Sequence, residues 1–166
     1  MNGSAQQQAQ RALSAALRYL SARDRTRHEV SCYLRKKGFS AQAVQDALMR
    51  LDQWGYLDDR RVALNWARNK MQESFWAKAR VMGALERRGL EREIIQDLIC
   101  HLDQELPEAD LALKAARKYL RTHSKAGKDL SRRLAAYLCR RGFAPGIVAR
   151  LIFKELGEDL GEEGSA

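Results

Sequence analysis

VSCYLRKKGF, running from Val30 to Phe39, returns twice in altered form, as VMGALERRGL from Val81 to Leu90 and as LAAYLCRRGF from Leu134 to Phe143. Each copy carries an aliphatic residue, a leucine four positions later, two basic residues, a glycine and then Phe or Leu. The glycines are Gly38, Gly89 and Gly142. After each glycine an apolar helical rhythm resumes, through Val44, Ala47, Leu48 and Leu51, then Ile95, Leu98, Ile99 and Leu102, then Val148, Leu151 and Ile152. A period of this kind is the signature of a repeat architecture. It points away from an enzyme, because repeats build extended surfaces more readily than one active site.

Helical signals are dense on either side of these copies. Ala12, Leu13, Ala16, Leu17 and Leu20 form one apolar face of a first helix. Thr26 with Glu29 three residues later spells a capping box for a second helix, and Gly38 supplies its C-terminal stop. Ser40 suits the cap of a third helix that runs to about Gln53. Asp58 or Asp59 then caps a helix through Val62, Trp66 and Met71. Two more helices follow, one closing at Gly89 and one ending near Leu102. Pro107 opens the next, with Glu108 and Asp110 well placed against the N-terminal dipole. After a loop at Ser124-Lys125-Ala126-Gly127 a helix leads to Gly142, and Pro145 starts the last. Alternating strand patterns are absent.

The expected fold is therefore all-α: three tandem three-helix modules forming an elongated, curved helical repeat array. The modules span 1–57, 58–106 and 107–156, and an acidic tail at 157–166 frays. One such module is marginal alone, so neighbours are expected to bury each other's apolar edges.

The chain has 166 residues, a net charge of +9 and 45% hydrophobic residues. That apolar share supports packed cores rather than disorder. The basic excess either serves solubility alone or suggests an acidic partner, whether nucleic acid, an anionic membrane surface or an acidic protein face. It is unevenly spread. Residues 1–57 hold 9 Lys and Arg against 4 Asp and Glu, residues 58–106 hold 9 against 9, and residues 107–154 hold 12 against 3.

Within the third module Lys114, Arg117, Lys118 and Arg121 fall at i, i+3, i+4 and i+7, on one helical face. Ala112, Ala115, Tyr119 and Leu120 occupy the other side. Four like charges at this spacing repel in an isolated helix. A solvated face tolerates them, and a polyanion makes use of them. Lys125, Lys128, Arg132 and Arg133 extend the basic surface. The repeated pairs Lys36-Lys37, Arg87-Arg88 and Arg140-Arg141 sit in a last helical turn, where cations also offset the dipole. The second of each pair borders the core face and is expected to snorkel. The first points outward, which makes Lys36, Arg87 and Arg140 the contact candidates.

Cys32, Cys100 and Cys139 have no paired spacing, so neither a zinc site nor a disulfide framework is expected, and buried reduced thiols are. His28, His101 and His123 share no ligand spacing. Trp54, Trp66 and Trp76 could stack on bases, but tryptophan in a helical pattern is more often core or module junction. No phosphate loop, nucleophile elbow or paired-carboxylate motif stands out, so no catalytic residue and no cofactor is assigned. The opening MNGSAQQQAQ lacks an apolar signal core and no run is long enough to cross a bilayer. A cytoplasmic monomer without membrane partners is the expectation.

ALRYLSARDRTRHEVSCYLRKKGF, from Ala16 to Phe39, resembles the opening of the RecX family of recombination regulators: a helix ending in Leu-Ser-x-Arg, a Ser/Thr-x-x-Glu cap, then Leu-x-x-Lys-Gly-Phe. Gly55-Tyr56-Leu57-Asp58-Asp59, followed by Ala63 and Ala67, is similar to the family's second hallmark. Leu85 to Leu90 and Leu138 to Phe143 resemble its later repeats, and the likeness spans roughly residues 11–156. The chain departs from the family at Ala77-Lys78, where Gly-Pro is common, and at Ala84, where an acid is usual. The resemblance implies a noncatalytic, modular regulator that binds the RecA recombinase filament on single-stranded DNA and most often inhibits it. Spacing and charge alone stop at a helical repeat protein that binds a polyanion or an acidic partner, and the alternative to the family reading is a DNA-binding helical protein that acts without recombinase.

Overall fold

The computed structural model describes residues 2–123 and 129–157. Among these residues there is no strand, and nine helices follow one another: α1 (Asn2–Ala22), α2 (Arg27–Lys36), α3 (Ala41–Gln53), α4 (Asp59–Ser74), α5 (Lys78–Arg87), α6 (Arg92–Glu105), α7 (Glu108–Thr122), α8 (Leu130–Arg140) and α9 (Pro145–Leu156). Lys125 and Lys128, the loop around them and the acidic tail from residue 158 lie outside the described residues.

Local chemistry sets the helix ends. The Thr26 side-chain oxygen accepts from the Glu29 N–H, and the Glu29 carboxylate accepts from the Thr26 N–H, which completes the capping box of α2. Ser40 Oγ accepts from the Ala43 N–H at the start of α3. Asp58, rather than Asp59, caps α4, since its carboxylate accepts from the Arg61 N–H at 2.9 Å. Pro145 occupies the first turn of α9, where a missing N–H costs nothing.

The repeated sequence is a repeated helix stop. Each glycine N–H donates to the carbonyl three residues back, from Gly38 to Arg35, Gly89 to Glu86 and Gly142 to Cys139. The next residue donates to the repeat leucine, from Phe39 to Leu34, Leu90 to Leu85 and Phe143 to Leu138, each at 3.3 Å. This paired 5→2 and 6→1 bonding is a Schellman motif, and it explains why the leucine, the glycine and the following apolar residue keep their spacing. Gly55 and Tyr56 close α3 in the same way, on Asp52 and Leu51.

The chain divides into two compact units, residues 1–66 with 85–98 and residues 67–84 with 99–166. In the first unit α1 packs on α3, with α2 against both. Its core joins Ala12, Leu13 and Ala16 of α1, Val30 and Leu34 of α2 and Val44, Ala47, Leu48 and Leu51 of α3. Alanines at the α1–α3 contact let the two backbones approach, and leucines fill the flanks. In the second unit α7, α8 and α9 pack on one another. Leu111, Ala112, Ala115 and Ala116 of α7, Leu134 and Leu138 of α8 and Val148, Leu151 and Ile152 of α9 are buried there. Truncating Leu34 or Leu138, both fully buried, to Ala removes about 2–5 kcal/mol.

Candidate partner-binding surface

Helix α7 is amphipathic along its length. Its inward face carries Leu111, Ala112, Ala115 and Ala116, and Lys114, Arg117, Lys118 and Arg121 are all exposed on the other side. Two of the four have neighbours. Arg117 Nε lies 3.6 Å from the Glu155 carboxylate of α9, and the Lys118 ammonium lies 5.1 Å over the Phe75 ring. Arg117 is still 64% exposed in its side chain, so that ion pair leaves it reachable. On α8, Arg132 and Arg133 are exposed while Leu134 and Leu138 turn inward. Helices α7 and α8 pack against each other, so both sets of cations belong to the second unit.

The basic pairs divide as their angular positions require. Lys36, Arg87 and Arg140 are exposed. Arg88 and Arg141 are half-buried, and each reaches back to an earlier helix end. Arg88 Nη2 donates to Glu29 at 2.9 Å, with its guanidinium 4.9 Å over Trp66. Arg141 Nε donates to the Ser74 carbonyl at 3.0 Å and stacks 3.7 Å over Tyr137. Lys37 departs from the expectation. It is exposed, and its ammonium lies 5.7 Å over Tyr33.

These reaching arginines belong to a joint made twice. In the first unit the Thr26 hydroxyl donates to the Arg88 carbonyl at 2.9 Å, so the N-cap of α2 meets the C-cap of α5. In the second unit the Ala77 N–H donates to the Arg141 carbonyl at 2.8 Å, so the start of α5 meets the C-cap of α8. Arg80 adds a bond from its guanidinium to the Arg140 carbonyl. Glycine is required at both contacts. A Cβ on Gly89 would overlap the His28 ring, and one on Gly142 would lie 2.9 Å from Arg80 Cβ. Linear spacing gave no hint of these partners, which lie about sixty residues apart in sequence.

Other expectations resolve in detail. The cysteines are free thiols, but Cys100 and Cys139 are exposed and Cys32 is half-buried, which corrects the expectation of burial. Cys100 and Cys139 each follow an inward residue, Ile99 and Leu138, and one step along a helix turns the side chain by about 100°. Trp54 is exposed and meets Tyr56 edge-on at 6.4 Å. Trp66 and Trp76 instead lie under cations, Arg88 over the first and Arg80 at 4.1 Å over the second. Lys78, at a position where the chain departs from the family pattern, is held by Asp103 at 2.8 Å and Glu108 at 3.5 Å. No helix is long and apolar enough to cross a membrane among the described residues.

Comparison with known proteins agrees with this architecture. Family models for the first, second and third three-helix domains of RecX match residues 12–51, 58–99 and 107–152. Regulatory protein RecX of Streptomyces lividans is 29% identical over 161 residues, covering 93% of this chain and 86% of that one. Regulatory protein RecX of Chlorobaculum tepidum is 30% identical over 148 residues, covering 89% and 90%. A crystal structure of RecX from Lactobacillus salivarius superposes with a TM-score of 0.71 at 21% identity, covering 89% of this chain and 96% of that one.

Proposed function

This chain belongs to the RecX family of regulatory proteins, and we propose that it binds the RecA recombinase filament on single-stranded DNA and restrains its strand-exchange and ATPase activities. The observation that carries this reading is the exposed row Lys114, Arg117, Lys118 and Arg121, in a chain whose relatives are named as regulators. A row of cations along α7 offers phosphates a counterion-releasing contact. Exposed Arg132, Arg133 and Arg140 on α8 add to that charge, and Lys36 and Arg87 offer cations in the first unit. The proposed protein is a noncatalytic cytoplasmic monomer that acts by occupancy. The three modules at 1–57, 58–106 and 107–156 are its proposed working parts.

The test is a recombinase ATPase assay on single-stranded DNA with this protein titrated in, alongside binding to bare DNA and to the coated filament. Simultaneous protein and phosphate contacts should make filament binding tighter than either alone. Equal affinity for bare DNA and filament, with ATPase unaffected, would instead favour a DNA-binding protein that works without recombinase.

A further inference from the structure

The joint between helix ends occurs at two of the three glycine repeats, and the third is open. Gly89 is covered by the first turn of α2 and Gly142 by the first turn of α5, but among the described residues, its chain neighbours aside, no atom lies within 4 Å of a Cβ placed on Gly38. Beside Gly38 is a cleft of about 680 Å³ whose lining includes Arg11, Ala15, Arg18, Lys37 and Phe39. Repeat positions identify what this cleft is. Lys37 corresponds to Arg88 and Arg141, each seven residues after the first apolar residue of its copy. Ala15 corresponds to Trp66, each fifteen residues before that residue. In the closed joint Arg88 lies over Trp66 and grips Glu29, the third residue of the docked helix. In the open one a methyl group replaces the indole, and space remains between the two.

We propose that this cleft is a socket for the N-terminus of a helix from a partner protein, one that opens with Ser/Thr-x-x-Glu. The two filled joints show that a helix start fits against this type of turn, and the first shows the matching chemistry. There the capping hydroxyl donates to the C-cap carbonyl and the glutamate pairs with the second basic residue of the repeat. Charge supports the same occupant. The cleft presents Arg11, Arg18 and Lys37, and among the described residues no carboxylate lines it.

A second copy of this chain is a poorer occupant. The start of α8, whose repeat has no later copy to dock on, places Arg132 where the glutamate should be, against Lys37. Single-stranded nucleic acid fits poorly as well. Tyr19 and Tyr33 stack on each other at 4.0 Å and 3°, with Arg25 over Tyr19 and Lys37 over Tyr33. Their faces are occupied, so neither ring offers a base a platform. The socket belongs to the first unit and does not depend on the α7 row.

The test uses the full chain, labelled for amide NMR, and a stapled helical peptide that begins Thr-Arg-His-Glu. The peptide should move the amides of Lys37, Gly38 and Phe39 in a saturable manner. Lys37→Glu in the protein, or Glu→Lys in the peptide, should weaken binding at least about tenfold, the loss of one charge-assisted pair. Ala15→Trp, which restores the indole found in the closed joint, should weaken it likewise if circular dichroism shows the fold retained. Lys37 is exposed, so its variant keeps the test decisive should Ala15→Trp misfold. The proposal is overturned if the peptide leaves these amides unmoved, if Lys37→Glu binds it equally well, or if an oligothymidylate moves the same amides and displaces the peptide.

Discussion

The Thr26 hydroxyl serves two helices at once: its oxygen accepts from the Glu29 N–H at 3.2 Å, and its proton goes to the Arg88 carbonyl at 2.9 Å. Thr26 is fully buried, so neither bond has water as a substitute. Thr26→Val should therefore cost about 1–3 kcal/mol, combining a lost cap with an orphaned carbonyl. Thr26→Ser, which keeps the hydroxyl, should retain most of the stability. Urea denaturation of the three proteins checks the order.

The glycines of the repeat separate two costs. Gly38→Ala meets only the backbone penalty of its positive φ of 83°, about 1 kcal/mol. Gly89→Ala, at φ 79°, must also push aside His28 and should be distinctly more destabilising. A double-mutant cycle with His28→Ala should recover part of the excess at Gly89 and nothing at Gly38.

Acid should loosen the first joint. Burial pushes the Glu29 carboxyl up, but hydrogen bonds from Arg88 and the Thr26 amide, with the charges of Arg88 and Arg25, outweigh it and hold the pKa below its ordinary 4.5. The resulting stability is present above that ordinary value and disappears as pH falls through the lowered one. Urea midpoints from pH 7 to pH 3 should fall less steeply in Glu29→Gln than in the parent. Asp59 works in the opposite sense, because burial raises its pKa above 3.8 despite the Arg27 amide, and its ionisation lowers stability. Asp59→Asn should accordingly steepen the acid loss.

Replacing Lys114, Arg117, Lys118 and Arg121 with Glu should preserve helicity and remove most filament binding. The salt dependence should flatten by up to ~0.7–0.9 log units per lost phosphate contact. Arg117 should contribute less than Lys114, because Glu155 already lies 3.6 Å away. Arg60→Glu with Arg61→Glu, compared pair for pair with Lys114→Glu and Lys118→Glu, is the matched control, its ion pairs to Asp97 and Asp58 being solvent-exposed and weak. Arg68 is unsuitable for it, since it holds Glu105 through two bonds of 2.9 and 3.0 Å. Filament affinity and salt slope, measured by anisotropy, decide between a working surface and a solvated one.

The parts legible in the sequence are those fixed by neighbours a few residues apart. Thr26 with Glu29, Ser40 and the Leu-to-Gly spacing each state a hydrogen bond within one turn, and these set the helix ends. Helical angle alone placed Lys36, Arg87 and Arg140 outside. The joint was not legible. Whether Arg88 meets Glu29 or solvent depends on which helix end arrives beside it, and that end lies 59 positions away. The same holds for Lys78, whose partners come from the end of α6 and the start of α7. Lys37 shows the limit from the other side. It has the sequence position of Arg88 and Arg141, but no helix start has docked there, and so it stays exposed.

The two compact units run out of phase with the motif that names them. One ends inside α4, after Trp66, and resumes at Leu85 inside α5, whereas the matched family domains span 12–51, 58–99 and 107–152. A chain severed at residue 57 would keep a whole motif and lose the Arg88 carbonyl that the Thr26 hydroxyl donates to. The natural seam for dissecting this protein is therefore not the seam of its repeat: each excised motif carries away half of a bond whose other half stays behind.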